Sequence, residues 1–139
     1  MKILYIDDEP DLLEQAEVFL ESEDERLEVD TASSAEKGLE LFVEGDYDAV
    51  VSDYKMSEMD GFDFLERIRE EMNSDVPFIV FTGRGCEEVA MEALNLGADR
   101  YVMKGGDVRL QFEDLADAIF NEVLTSTEIK QNYENFSDK

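Results

Sequence analysis

The sequence contains no histidine and no tryptophan, and Cys86 is the one cysteine among its 139 residues. Without histidine, nucleophilic Ser-His and Cys-His pairs are excluded, and so are metal sites built on imidazole ligands. One cysteine cannot form an internal disulfide or a thiolate cage, so we expect a reducing compartment, the cytoplasm. Any chemistry therefore depends on carboxylates, hydroxyl groups, lysine or arginine.

Positive charge is also scarce, because 12 Lys and Arg residues stand against 37 Asp and Glu residues, a formal net charge of −25. This excess of negative charge repels the phosphate backbone of nucleic acids and anionic lipid, so we expect no direct nucleic-acid or membrane binding. No apolar run approaches the length of a membrane span. The 43% hydrophobic content argues against disorder of the whole chain. The acidity suits either a protein from a salty cytoplasm or an ordinary acidic protein.

Short apolar runs alternate with helical spacings along the chain, whose length fits one domain. Runs that favour strands lie at 3–6, 27–31, 49–51, 77–81 and 100–103. Pro10 suits the first turn of a helix, and Ser33 with Glu36 forms a capping-box pattern that predicts the start of the next one. Five such units favour an α/β fold with a parallel sheet and helices on both faces. We expect the alternating second strand at an edge, and strands 1, 3 and 4 in the centre.

Polar residues follow the predicted strands at the points where ligands bind in open parallel sheets. Asp7 and Asp8 follow the first strand, Asp53 follows the third, Thr82 the fourth and Lys104 the fifth. Three clustered carboxylates repel one another unless a cation lies among them. A cluster of oxygen ligands without His or Cys selects a hard cation. If the cluster also leaves room for water and a phosphate, it suits Mg²⁺.

Each of these residues also has an ordinary structural interpretation when it is taken alone. An Asp-Asp pair after a strand often caps a loop, and a Thr before Gly is usually a turn residue. Lys104 would ordinarily be a solvated surface charge and Tyr101 a core residue, while Cys86 suits the start of a helix. Only their joint placement at strand ends favours function.

Four motifs, in order and each at a predicted strand end, resemble those of the response-regulator receiver domain of two-component signalling. They are Ile6-Asp7-Asp8-Glu9-Pro10, Ser52-Asp53-Tyr54-Lys55-Met56-Ser57-Glu58-Met59-Asp60-Gly61, Phe81-Thr82-Gly83 and Tyr101-Val102-Met103-Lys104. The chain resembles this family, of the chemotaxis-regulator kind, over residues 1–124. The resemblance implies a flavodoxin-like (βα)5 three-layer sandwich with strands in the order 2-1-3-4-5.

The resemblance also implies roles for the acidic cluster. Asp53 would be the phosphoacceptor, which takes a phosphoryl group from a histidine kinase to form an acyl phosphate. Asp8 would bind Mg²⁺ directly, Asp7 would hold it largely through water, and the backbone carbonyl of Lys55 would complete the protein ligands. Because the chain has no histidine, the phosphoryl donor must be another protein or domain.

Switching is implied for three further residues of the motifs. Lys104 would pair with the phosphoryl oxygens, and the Thr82 hydroxyl would hydrogen-bond to one of them. The loop after strand 4 would then be drawn in, and Tyr101 would swing inward. We expect a signalling module rather than an enzyme, a monomer or phosphorylation-dependent dimer that docks on a partner through helix 4, strand 5 and helix 5.

The sequence departs from the family at two loops. The family commonly has Pro, in a cis bond, after the conserved lysine, but here Gly105-Gly106 follows Lys104, and Ser57 replaces another common Pro. These changes remove no reacting group, although they affect switching geometry. Long cations at Lys55 and Arg84 predict slow hydrolysis of the acyl phosphate, because they would shield it from water.

Other functions and the extent of the domain remain open at this stage. A phosphatase with an aspartyl nucleophile is one alternative, but its usual Asp-x-Asp signature is missing at Asp53-Tyr54-Lys55. A phosphate-independent interaction module with the same fold is the main alternative. Residues 125–139 form a tail or linker in which Thr125-Ser126-Thr127-Glu128 suggests a new short helix. The chain is expected to be a stand-alone receiver or one cut from a longer protein, since stretches near Thr82 and Lys104 are similar to receivers fused to sensory domains in archaea.

Overall fold

The computed structural model of the chain describes residues 1–56, 58–83 and 87–137, with side chains as far as 127. The expectations for Ser57, Arg84 and Cys86 lie outside the described residues. In the described part of the chain, five strands and five helices alternate: β1 (Lys2–Ile6), α1 (Pro10–Glu23), β2 (Glu28–Ala32), α2 (Ala35–Glu44), β3 (Ala49–Ser52), α3 (Gly61–Glu66), β4 (Phe78–Thr82), α4 (Glu87–Asn95), β5 (Arg100–Met103) and α5 (Val108–Ser137). A π-helical segment, Arg67–Glu71, directly continues α3.

The five strands form one sheet in the order β2-β1-β3-β4-β5, and all neighbouring strands are parallel. This is the flavodoxin-like arrangement predicted from the sequence. Strands β3 and β4 are buried along their whole length, whereas β2 is only partly buried. A central parallel strand is covered on both faces, so the continuous apolar runs take the middle of the sheet and the alternating β2 takes an edge.

Each face of the sheet is covered by its own apolar core. On one face, α1 and α5 contribute Leu20, Phe112 and Ile119 to a cluster with Tyr5 and Phe81 of the sheet. On the other face, the larger buried side chains of the cluster are Leu4, Ile6, Val50, Phe64, Leu65, Ile68, Phe78 and Val80. Because the strands are parallel, their carboxyl ends lie together at one end of this covered sheet, and the polar residues follow there.

Two helix boundaries differ from those predicted. Helix α2 is capped by Ser34, whose side chain accepts a hydrogen bond from the Lys37 backbone N–H, so the prediction of Ser33 as the cap was wrong by one residue. Helix α5 continues from Val108 to Ser137, so no separate helix begins at residue 125. The Thr127 hydroxyl donates to the Val123 carbonyl, 3.0 Å away, instead of capping a new helix.

Within the described part of the chain, no helix has both the length and the apolar character needed to cross a membrane.

Candidate functional site

Three carboxylates meet at the carboxyl end of the sheet. Asp7 and Asp8 follow β1 and Asp53 follows β3, and one oxygen from each lies within 4.8 Å of the others. The two strand ends are joined by a hydrogen bond of 3.0 Å from the Asp53 backbone N–H to the Ile6 carbonyl. The structure thus brings together the three acids that the sequence predicted to converge.

Asp7 is the most deeply placed of the three and is fully buried. One carboxylate oxygen accepts the backbone N–H of Glu9 at 3.0 Å, and the other lies 2.7 Å from Lys104 Nζ. Burial raises the pKa of Asp7, and the charge of Asp53 acts in the same direction, while Lys104 and the Glu9 N–H partly offset the rise. Burial, then Asp7 and Asp53, also raise the pKa of the neighbouring Tyr5, so this phenol stays neutral.

Asp53 lies nearer the surface, with its side chain 11% exposed. Its Oδ1 accepts the backbone N–H of Tyr54 at 2.7 Å, and its Oδ2 lies 3.2 Å from Lys104 Nζ. A carboxylate held at both oxygens has a fixed orientation, yet it stays within reach of a group arriving from solvent.

The start of α3 packs directly against the backbone of Asp53. A Cβ atom at Gly61 would collide with the Asp53 carbonyl oxygen, so only glycine allows this approach. The Gly61 N–H donates to the Tyr54 carbonyl at 2.9 Å, and Asp60 with Asp63 forms a capping box at the helix start. Sequence reasoning placed Gly61 only as the last residue of a motif, although Asp-Gly before an apolar helix is a signal for such a turn.

Lys104 supplies the positive charge at the centre of the cluster. Its backbone N–H donates to the Thr82 carbonyl at 2.9 Å, which keeps the ends of β4 and β5 together. Its Nζ lies between Asp7 and Asp53 and 5.5 Å from the centroid of the Phe81 ring, and its side chain is 13% exposed. Thr82 is fully buried at the end of β4. The ammonium thus contacts the cluster directly, while Thr82 is joined to it through the backbone of Lys104, and the role implied for the Thr82 hydroxyl stays a prediction.

Tyr101 and Lys55 each contact a neighbouring side chain. Tyr101 packs partly buried against the core that includes Ala93 of α4, and its hydroxyl donates to Met103 Sδ at 3.3 Å. The exposed Lys55 side chain reaches back over the Tyr54 ring, with Nζ 5.7 Å from the centroid. The roles implied for both residues stay predictions.

The loop after β5 contains a contact that sequence reasoning missed. The backbone N–H of Gly105 donates to the side-chain oxygen of Gln111 in α5, at 3.1 Å. Gly106 has a φ of +70°, which glycine adopts without strain, and the described residues contain no cis peptide bond. A glutamine at the start of an amphipathic helix carries no sequence signal for this contact, because its partner is a backbone group.

The donor set of the cluster fits a divalent, oxygen-preferring cation. Asp7, Asp8 and Asp53 offer carboxylate oxygens at short mutual distance, without nitrogen or sulfur ligands. The raised pKa of Asp7 shows that burial and a second negative charge work against its ionised form. Among the described residues the ammonium group of Lys104 contacts the cluster and leaves part of this negative charge uncompensated. A cation such as Mg²⁺ would compensate the rest.

Comparison with known proteins adds a family to this geometry. The response regulator SaeR of Staphylococcus epidermidis strain RP62A is 32% identical over 102 residues, which are 73% of this chain and 43% of the relative. The chain therefore spans less than half the length of the curated relatives it matches.

Solved structures show the same fold. A response regulator receiver domain protein from Clostridium thermocellum is 34% identical with a TM-score of 0.80, over 92% of this chain and 98% of that one. A CheY-like receiver domain protein from Methanospirillum hungatei is 28% identical with a TM-score of 0.73, over 87% and 94%. Residues 3–119 match the response regulator receiver domain, and the chain belongs to that family.

Proposed function

We propose that this receiver takes a phosphoryl group from a histidine kinase onto Asp53, in the presence of Mg²⁺, and then switches conformation to signal to a partner. The observation that supports this most directly is the position of Lys104 Nζ, 2.7 Å from Asp7 and 3.2 Å from Asp53. The ammonium group lies between a buried acid and a partly exposed one. It can therefore attract a phosphoryl group that is transferred to the exposed acid. In this proposal the receiver is a cytoplasmic signalling module rather than an enzyme.

In this proposal four residues hold the metal. Asp8 and Asp53 bind Mg²⁺ directly, Asp7 largely through water, and Lys55 through its backbone carbonyl. When bound, Mg²⁺ neutralises negative charge shared by the carboxylates and the phosphoryl group. The buried Asp7 gains most from the metal, because its ionised form is otherwise opposed by burial.

The transfer replaces the P–N bond of the donor by an O–P bond on Asp53. A carboxylate oxygen of Asp53 forms the new O–P bond while the P–N bond of the phosphohistidine breaks, and the released imidazole nitrogen takes up a proton. The hydrogen bond from the Tyr54 N–H to Asp53 Oδ1, 2.7 Å long, orients the carboxylate for this attack. Lys104 then shifts its contacts from the carboxylates to the phosphoryl oxygens.

The same group triggers the switch in this proposal. The Thr82 hydroxyl bonds a phosphoryl oxygen, and Tyr101 leaves its contact with Met103 and turns inward. The face formed by α4, β5 and α5 would report the change to a partner or to a second receiver. It carries exposed apolar side chains at Met91, Leu94, Met103, Val108 and Leu110.

The exposed Lys55 would slow hydrolysis by shielding the acyl phosphate, and an unchanged dephosphorylation rate in Lys55→Ala would contradict this role.

The test is phosphorylation by a small-molecule phosphoryl donor with Mg²⁺, followed by intact mass. We expect the parent chain to gain one phosphoryl group and Asp53→Asn to gain none, because the amide cannot form the acyl phosphate. A mass shift that persists in Asp53→Asn would refute Asp53 as the site. No shift in the parent would favour the alternative, a phosphate-independent interaction module with the receiver fold.

A further inference from the structure

We propose that Gln111 is a positioning residue for Lys104, an inference that rests on the proposed function of Asp53. Lys104 has to keep its ammonium within about hydrogen-bond distance of two carboxylates and of an arriving phosphoryl group. On its N-terminal side the chain is fixed, since the Lys104 N–H bonds the Thr82 carbonyl at 2.9 Å. On its C-terminal side two glycines follow, and they leave the backbone free to move unless another contact holds it.

The side chain of Gln111 provides that contact. Its oxygen accepts the Gly105 N–H at 3.1 Å, one residue after Lys104. Gly105 is exposed, and among the described residues no atom outside its chain neighbours comes within 4 Å of the position where its Cβ would lie. The hydrogen bond from Gly105 to Gln111 therefore restrains an exposed stretch of the loop.

Gln111 is itself next to a buried residue of the core. The next residue, Phe112, is buried and packs edge-on against Phe81, with ring centroids 5.9 Å apart, and stacks on Phe19 at 5.6 Å. Phe81 in turn lies under Lys104 Nζ, 5.5 Å from the ring centroid. The start of α5 is thus packed against the residues beneath the lysine. Gln111 connects this packed region to the loop through its hydrogen bond.

A matched pair of substitutions isolates the acceptor. Gln111→Met keeps the length and helix propensity of the side chain but removes the oxygen, whereas Gln111→Glu keeps an oxygen at the same reach. We expect Gln111→Met to raise the hydrogen-exchange rate of the Gly105 amide by about 3- to 10-fold, and Gln111→Glu to leave it close to the parent value. An unchanged Gly105 exchange rate in Gln111→Met would overturn the proposal.

Phosphorylation kinetics then test positioning. With a small-molecule donor and Mg²⁺, we expect Gln111→Met to lower the maximal rate by about 3- to 10-fold without changing the donor concentration at half-maximal rate. A purely structural defect would instead lower the melting temperature and the fraction of chains phosphorylated. A parent-like maximal rate in Gln111→Met would overturn the positioning role.

Stiffening the loop by another route should restore the rate. Gly105→Ala keeps the N–H, has open space for its Cβ and is not in the left-handed region, so it lowers loop freedom without strain. We expect it to recover most of the rate lost in Gln111→Met. Gly106→Ala should not do so, because its φ of +70° strains alanine. Failure of Gly105→Ala to restore the rate would contradict the proposal.

These measurements separate the two proposals. If the parent chain accepts no phosphoryl group on Asp53, the proposed function fails. The exchange rate of Gly105 still decides whether Gln111 restrains the loop, because amide exchange does not depend on phosphorylation.

Discussion

At the scale of single residues, Asp7 links stability to pH. Its pKa is raised in the folded state by burial first and by Asp53 as well, so the fold favours the protonated form. Stability from this group is therefore gained as the pH falls from neutral toward the ordinary aspartate range, and lost as the pH rises through the folded pKa. Asp7→Asn keeps the shape without the charge. Without Mg²⁺, we expect it to be more stable than the parent at pH 7, with a difference in urea midpoint that shrinks toward pH 5.

Asp24 provides a control of opposite sign. A side-chain hydrogen bond from Arg26 lowers the pKa of Asp24 to about 2, so its stabilisation is present above the ordinary aspartate pKa and is lost in acid. Asp24→Asn should therefore be less stable than the parent at neutral pH.

Added Mg²⁺ should reduce or reverse the stability advantage of Asp7→Asn over the parent, because metal binding stabilises the folded parent. If Asp7→Asn were the less stable protein in a chelator at pH 7, burial of the charge would not be the dominant effect.

Residue type and position together explain how much of the site was predictable. Asp7, Asp53 and Lys104 could be placed because parallel strands end at one edge, and any polar residue after such a strand reaches it. Gln111 could not be placed, since its partner is the backbone of Gly105 and the contact depends on the path of a two-glycine loop.

At the scale of elements, the strands were predictable and some helix details were not. Apolar runs and one alternating run specify the sheet and its β2 edge, because burial on one or two faces leaves a direct pattern. The π-helical segment Arg67–Glu71 was invisible, since the apolar spacing of Leu65, Ile68 and Met72 looks the same for an α-helix. The helix start predicted at residue 125 was wrong because Ser and Thr residues suit a helix start, whereas α5 simply continues through them.

The junction between β3 and α3 gives an element-scale prediction. Gly61→Ala introduces a Cβ that collides with the Asp53 carbonyl, so either α3 or the Asp53 backbone has to move. We expect a loss of about 1–3 kcal/mol in the free energy of unfolding by urea, together with slower phosphorylation of Asp53. Gly83→Ala is the matched control, since its Cβ would lie 3.7 Å from the Lys104 Cβ, an ordinary contact. Equal stability of the two variants would show that the junction adapts to the added methyl group.

The extent of the receiver is also an element-scale proposal. We propose that residues 1–124 form the receiver and 125–139 a tail or linker helix. Val123 packs against the core, and Leu124 is already 59% exposed. The apolar contacts that support this boundary are those of α5 with the sheet and α1, which hold its first half to the domain.

At the scale of the whole molecule, net charge is the dominant feature. With 37 acids and 12 bases, at least 25 acids have no basic side chain of their own to neutralise them. Helix α1 alone carries Asp11, Glu14, Glu17, Glu21 and Glu23, with no base among its 14 residues. The folded chain holds these charges closer together than the unfolded chain does, so repulsion lowers its stability.

Salt should relieve this repulsion and thereby distinguish the two origins of the acidity. The screening length falls from about 30 Å at 0.01 M to about 10 Å at 0.1 M and about 3 Å at 1 M salt. We expect the melting temperature, measured in a chelator, to rise with KCl over this range. A plateau near 0.15 M would fit an ordinary acidic protein, whereas a rise that continues to 1 M and beyond would fit a salty cytoplasm. Glu14→Lys with Glu17→Lys should flatten the rise, because the pair of substitutions changes the net charge from −25 to −21 within the acidic helix α1. A melting temperature that does not rise with KCl would mean that repulsion does not limit the fold.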